Sequence, residues 1–253
     1  MANEMMDAAV QYVRMGWSIF PIKPKSKAPA TKHGVKDAQR DLDDTRELWT
    51  ARPDMNIAIA AGAVSGDIVI IDIDLDPDSE KDGYETLREW EKEHGELPET
   101  VQALTPRGGC HMFYRVPHGT TFPNTKNEDL AVDVRSDGGY IVAPPSVHPN
   151  GGTYQWEHDP SEYAVADADA NVLAFIEHVQ YGVSSKSGKP FDLPEVIYKG
   201  ARDDTLFKYA CSLQAQGYQD HEIFTLVHAV NAQRCKPPLE NRLVDAKVNS
   251  ALN

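Results

Sequence analysis

Residues 67–74 read Asp-Ile-Val-Ile-Ile-Asp-Ile-Asp, an apolar β-prone run closed by two carboxylates two positions apart. Side chains alternate faces along a strand, so Asp72 and Asp74 would share one face at its end, close enough to hold a divalent cation between them. Two such charges repel each other until a cation intervenes. The same residues also fit a strand running into a solvated acidic loop, because Asp76, Asp78, Glu80 and Asp82 follow at once.

A second segment, Thr105-Pro-Arg-Gly-Gly-Cys-His111, has the chemistry of a phosphate grip. Gly108 and Gly109 would let backbone N–H groups approach an anion, Arg107 offers a bidentate fork, and His111 can donate to a phosphate oxygen. An ordinary hairpin turn followed by a packed histidine has the same composition. In a third segment, Asp133 lies between Val132 and Val134 in an apolar run. A buried, unpaired carboxylate costs several kcal/mol unless it is neutralised or coordinated. A metal would resolve that conflict, and so would an ion pair with Arg135, which period two puts on the same face. Together the segments supply three acids and a basic phosphate grip, the inventory for nucleotidyl transfer. Two divalent ions about 3.5–4 Å apart align an attacking 3′-hydroxyl with an α-phosphate and stabilise the departing pyrophosphate.

The elements that must position these residues change character along the chain. Residues 7–15 have helical spacing and stop at Gly16; residues 17–22 read as a short buried strand; residues 23–34 form a Pro- and Lys-rich loop. Asp43 or Asp44 would cap a helix carrying Leu48 and Trp49, and residues 56–62 return to strand character before the 67–74 strand. Residues 84–94 read as a helix, with Leu87 and Trp90 on its apolar side. Short β-prone runs then follow at 101–105, 111–116, 130–135 and 140–143, giving an antiparallel half. One more helical segment at 173–179 precedes a Gly/Ser/Lys-rich linker. Beyond it, Asp203 or Asp204 would cap a helix with Leu206, Ala210 and Leu213 inward and Gly217 past its end. A second helix from about Asp220 carries Ile223, Val227 and Val230, and a third carries Leu243, Ala246 and Val248 to the last residue, as in a truncated longer protein.

The 253 residues suffice for one large domain with a small companion. Three scattered cysteines, Cys110, Cys211 and Cys235, imply no disulfide framework and no zinc, and point to a reducing cytoplasm. There is no signal peptide and no apolar run of bilayer length. A net charge of −14 argues against a nucleic-acid coat or membrane-surface protein. Locally the balance reverses: between residues 14 and 40, Arg14, Lys23, Lys25, Lys27, Lys32, Lys36 and Arg40 face Asp37 as the sole acid.

In this order the segments resemble the archaeo-eukaryotic primase superfamily, specifically its bifunctional primase-polymerase (Prim-Pol) branch from phages, plasmids and bacteria. The resemblance covers about residues 8–178. It is carried by Gly16-Trp17 with Phe20-Pro21, Lys27, Pro29, His33-Gly34-Val35, Asn56-Ile-Ala-Ile, Ile71-Asp-Ile-Asp74, Thr105 through His111, and Val132-Asp-Val-Arg135 with Gly138-Gly-Tyr-Ile-Val-Ala-Pro-Pro-Ser146. It implies an α+β fold: a catalytic core at 1–178 with an α/β half and an RRM-like antiparallel half, a linker at 179–199, and a small all-α module at 200–253 resembling one that often precedes a helicase. It also implies a DNA-dependent primase/polymerase that uses NTP or dNTP, a primer and a single-stranded DNA template in phage, plasmid or mobile-element replication. Asp72, Asp74 and Asp133 would bind two Mg²⁺ or Mn²⁺ ions. Thr105, Arg107, Gly108, Gly109, His111 and Arg135 would hold the triphosphate, with Ser146 and His148 as lesser candidates. The basic segment at 23–36 would contact template backbone or triphosphate, and a helicase domain or protein would follow the C-terminal module.

Two rivals start from the same residues. An apolar strand ending Asp-x-Asp also opens haloacid-dehalogenase-like phosphatase sites, where the first Asp is a nucleophile. The other is a non-catalytic module that binds DNA or recruits a helicase, its acids being relics.

Overall fold

The computed structural model describes residues 3–76, 81–181, 193–215 and 218–252. Its contacts divide the chain into two compact units, Met1–Gly182 and Val183–Asn253. The whole is a mixed α+β protein, with a small helical module at the C-terminal end.

In the first unit, helix α1 (Glu4–Arg14) is capped by the Asn3 side chain and ends before Gly16, whose φ of +86° suits only glycine well. Strand β1 (Ile19–Ile22) follows. Helix α2 (Leu42–Ala51) is capped by Asp41, whose carboxylate accepts from the backbone N–H groups of Asp43 and Asp44. The expected caps are therefore first-turn residues, because the chain enters the helix two positions earlier. Strand β2 (Asn56–Ala60) is buried throughout and lies between β1 and β10 (Tyr140–Ala143), antiparallel to both. The last of the expected antiparallel strands thus crosses back into the sheet of the N-terminal half.

The larger sheet is centred on β3 (Ile68–Ile73). A short ribbon, β4 (Leu75–Asp76) with β5 (Lys81–Asp82), leads from it into α3 (Gly83–His94), which Asp82 caps. Strands β6 (Gln102–Leu104), β7 (Cys110–Arg115), β8 (Thr125–Asn127), β9 (Val132–Arg135) and β11 (Gln155–His158) complete the order β11-β6-β7-β3-β9-β8, and β12 (Ala166–Asp167) pairs parallel with β7. Strand β9 begins at Val132 and not at Leu130, because Ala131 sits at φ +52° and breaks the extended run. Helix α4 (Ala170–Tyr181) closes the unit.

The two faces of this sheet meet different partners. Val69, Ile71, Ile73, Tyr114, Val132 and Val134 pack against α3 and α4 through Leu87, Phe175, Ile176 and Val179. Ile68, Ile70 and Phe113 point the other way and share a core with Tyr12, Trp17, Trp49, Ile57, Ile59 and Ile141 of the small sheet and its helices. Period two then puts Asp72 on that second face, at the end where the apolar filling stops.

In the second unit, α5 (Arg202–Ala215), α6 (Asp220–Arg234) and α7 (Asn241–Leu252) bury Leu206, Ala210, Leu213, Ile223, Val227, Val230, Val244 and Val248. Two short strands, β13 (Ile197–Tyr198) and β14 (Cys235–Lys236), pair in parallel beside them. Two expectations change. Asp203 and Asp204 lie inside the first turn of α5, and α7 turns Val244 and Val248 inward, leaving Leu243 and Ala246 exposed. Gly217 and most of the expected linker lie outside the described residues. Among those residues no helix is long and apolar enough to cross a membrane.

Candidate active site

Strand register assembles what sequence order keeps apart. On β3, Asp72 pairs with His111 of β7 on one side and with Asp133 of β9 on the other, so the three form one row across three adjacent antiparallel strands. Cross-strand partners share a face. Asp74, one step beyond β3, is fixed by its backbone: its N–H donates to Ala131 O at 2.9 Å, and its carbonyl accepts from Gly83 N–H at 2.9 Å.

Asp72 and His111 of the row line a cleft of about 330 Å³ between the two sheets, while Asp133 and Asp74 are not among its lining residues. One wall is Gly138, Gly139 and the start of β10; Tyr154, Asn124, Lys27 and Arg135 complete it with Asp72 and His111. Lys27 arrives on the Pro/Lys-rich loop, which Tyr140 Oη and Asn56 Nδ2 hold through the carbonyls of Lys27 and Ser26, both at 3.3 Å. Arg135 Nη2 lies 2.5 Å from Asp133 Oδ2 and 3.6 Å from Asp72 Oδ2. Asn127 N–H donates to the other Asp133 oxygen at 3.1 Å. The ion-pair reading of Asp133 is the one observed: it pairs with Arg135, and it also stands opposite a second acid.

Burial raises all three carboxyls. Asp133, 3 % exposed, is pushed up to about 6, with Arg135 pulling the other way and the charges of Asp72 and Asp74 adding to the rise. Asp72 rises because it is desolvated, opposed by Arg135 and Lys27. Asp74 reaches solvent at the rim, yet packed protein around its carboxylate and the Asp72 charge also raise it. His111, 5 % exposed, is pushed down to about 3, first by burial and then by Lys27 and Arg135. It is neutral, so the 3.4 Å approach of its Nε2 to Asp72 Oδ1 is not an ion pair. Its Nδ1 is buried with no hydrogen-bond partner among the described residues.

The donor chemistry alone suits a hard divalent cation: the donors are oxygens, and a cation nearby would lower the cost of keeping them ionised. Among the described residues no group of three or more His, Cys, Asp or Glu side chains is placed so as to hold a metal ion. Mg²⁺ is ordinarily held by one or two carboxylates, with phosphates and water completing the shell.

The turn at residues 105–109 differs from the expected phosphate cradle. Gly108 N–H donates to Thr105 O at 2.9 Å and Gly109 N–H to Thr105 Oγ1 at 3.1 Å, so both amides are engaged inside the turn. Thr105, Arg107, Gly108 and Gly109 are not among the cleft-lining residues, and Arg107 is exposed. Gly108 is required for its φ of +91°, and Gly109 for contact: a Cβ there would stand 2.1 Å from Ile73 O. That oxygen is backbone and cannot move aside. Gly109→Ala is expected to destabilise the first unit by about 2–3 kcal/mol, seen as a lower urea midpoint with an unchanged slope.

Ser146 and His148 also work behind the cleft. Ser146 is fully buried, and its hydroxyl accepts from Ile57 N–H at 2.9 Å. His148 Nδ1 accepts from Asn150 N–H, and its ring packs edge-on against Tyr154, which stacks on His111 with centroids 5.9 Å apart. Tyr154 and Asn124 were not anticipated; neither stands in a patterned motif.

Residues 9–170 match the family model described as bifunctional DNA primase/polymerase, N-terminal (Prim-Pol), and residues 192–253 match primase C terminal 1 (PriCT-1). No curated protein matches the chain as a relative. The first match covers well over half of the sequence and includes the row of Asp72, His111 and Asp133, and on that ground the chain belongs to the Prim-Pol family of bifunctional DNA primase/polymerases.

Proposed function

We propose that the chain is a DNA-dependent nucleotidyltransferase that joins NTP or dNTP to a 3′-hydroxyl on a single-stranded DNA template. The observation that carries this reading is the in-register row of Asp72, His111 and Asp133, whose Asp72 and His111 line a cleft with Lys27 and Arg135. Asp72, Asp74 and Asp133 would hold Mg²⁺ or Mn²⁺, which supplies Lewis-acid activation of the hydroxyl and charge stabilisation on the phosphates. Lys27 and Arg135 bind the triphosphate electrostatically, Arg135 as a planar fork and Lys27 as a point charge. Neutral His111, stacked on Tyr154, has one ring N–H to donate, to Asp72 or to a phosphate oxygen. The other lysines of residues 23–36 give salt-sensitive, sequence-independent attraction for the template backbone. The C-terminal module would lead to a helicase in phage, plasmid or other mobile-element replication.

The phosphatase rival fits the sheet poorly: β3 is antiparallel to both neighbours, whereas a doubly wound fold needs parallel strands there. Labelled NTP and dNTP incorporation by the full chain on single-stranded templates, with and without primer, tests the proposal. Cation-dependent incorporation that EDTA abolishes is expected. Robust hydrolysis of an aryl phosphate with no incorporation would overturn it.

A further inference from the structure

Arg135 stands where two like charges meet. Asp72 and Asp133 are direct cross-strand partners, and carboxylates so placed repel each other. A single nitrogen, Arg135 Nη2, approaches one oxygen of each, at 3.6 Å and 2.5 Å. The remaining Asp133 oxygen is already engaged by Asn127 N–H. The guanidinium, bonded to Asp133 and within ion-pair distance of Asp72, therefore stands beside the facing oxygens that a cation shared by the two acids would use.

We infer that Arg135 is an exchangeable internal counter-cation, which neutralises Asp72 and Asp133 before loading and passes to the triphosphate when a divalent cation takes its place. The inference rests on the metal site proposed above. Guanidinium and metal would crowd the same facing oxygens and, both being cations, repel each other there. Asp133 is buried and fixed, but the Arg135 side chain is 29 % exposed and borders the cleft, so the arginine is the partner with room to turn. Turning toward Lys27 with no anion present would leave two cations and a metal in one cleft. The triphosphate removes that repulsion, so cation and nucleotide should bind with strong mutual support and the cation alone should bind weakly.

Calorimetric titration of the full chain with MnCl₂, with and without dNTP and in the absence of DNA, reads this coupling directly. In wild type, dNTP should tighten Mn²⁺ binding by well over tenfold. Arg135→Met should bind Mn²⁺ alone about tenfold more tightly than wild type, a coupling of about 1.4 kcal/mol, and should lose most of the tightening by dNTP. Arg135→Lys, which keeps the charge without the fork, should fall between, and it provides the comparison if the methionine variant folds poorly by near-ultraviolet circular dichroism. Mn²⁺ affinity unchanged in both variants, with dNTP coupling intact, would show Arg135 to be a fixed structural partner and end the inference alone. No Mn²⁺ binding by wild type even with dNTP would instead remove the metal site, and the inference with it.

Discussion

Asp72→Asn and Asp133→Asn should each lower nucleotide incorporation by on the order of 10³-fold or more, because a lost carboxylate removes several kcal/mol of charge stabilisation around the reacting phosphates. The amide is nearly isosteric, so the row of side chains across β7, β3 and β9 stays in place. Stability should move the other way for Asp72→Asn. Burial makes that carboxylate costly to ionise, against the pull of Arg135 and Lys27, and its direct neighbour across the ladder is another acid. Removing the charge without cation present relieves both costs, so the variant should unfold in EDTA at a temperature equal to or above wild type. Asp133→Asn keeps an oxygen for Asn127 N–H but gives up the ion pair with Arg135, so its stability gain should be smaller. Single-nucleotide incorporation at saturating Mn²⁺, with parallel melting curves, checks both halves. Retention of incorporation within tenfold of wild type by either variant would remove that residue from the reaction, and melting at or above wild type keeps a loss from being read as misfolding.

How much of this was legible depended on whether a feature is local. The alternation that puts Asp72 on a defined face of β3 is written in Ile68, Ile70 and Ile71, and any strand there would obey it. That His111 and Asp133 flank Asp72 is a fact of register, fixed only when three strands pair, and no spacing within one chain states it. Gly108 and Gly109 show the ambiguity of glycine: the composition that lets amides approach an anion also makes a tight turn, and here both amides bond within the turn while Gly109 is seated on the Ile73 carbonyl. The basic stretch at residues 14–40 contains seven cations, and only the anchoring of its loop by Tyr140 and Asn56 selects Lys27 for the cleft. Strand β10 looked like one more member of the antiparallel half; its place beside β2 follows from long-range packing. In α7, Leu243 and Val244 are equally apolar neighbours, and which one turns inward is decided by the partner helices.

Incorporation should also show an acid limb near pH 6 that belongs to the carboxylates. Asp133 holds its proton up to about 6, Asp72 is raised as well, and a carboxyl must be ionised to ligate a cation. Below that pH, activity at subsaturating Mn²⁺ should fall about tenfold per unit for each proton taken up. His111 would be the usual suspect for a limb in this range, but it is held near 3 by burial and by Lys27 and Arg135, so it is neutral on both sides of the limb. Proton and cation compete for the same oxygens. Raising Mn²⁺ tenfold should therefore move the limb down by as much as about one unit, a displacement that a histidine outside the metal site would not show. The stability of the protein in EDTA runs in the opposite sense. With its folded pKa above the ordinary carboxylate value of 3.8, Asp133 keeps its proton in the folded state while the unfolded chain has lost it, so its contribution to stability declines as pH rises from 3.8 to about 6 and is flat beyond. With Mn²⁺ and dNTP present, only the ionised folded state binds them, so the gain in melting temperature that they confer should grow as pH rises through the same interval. An acid limb that ignores the Mn²⁺ concentration, together with melting curves whose pH trend is the same with and without Mn²⁺ and dNTP, would show that these carboxylates do not hold the cation.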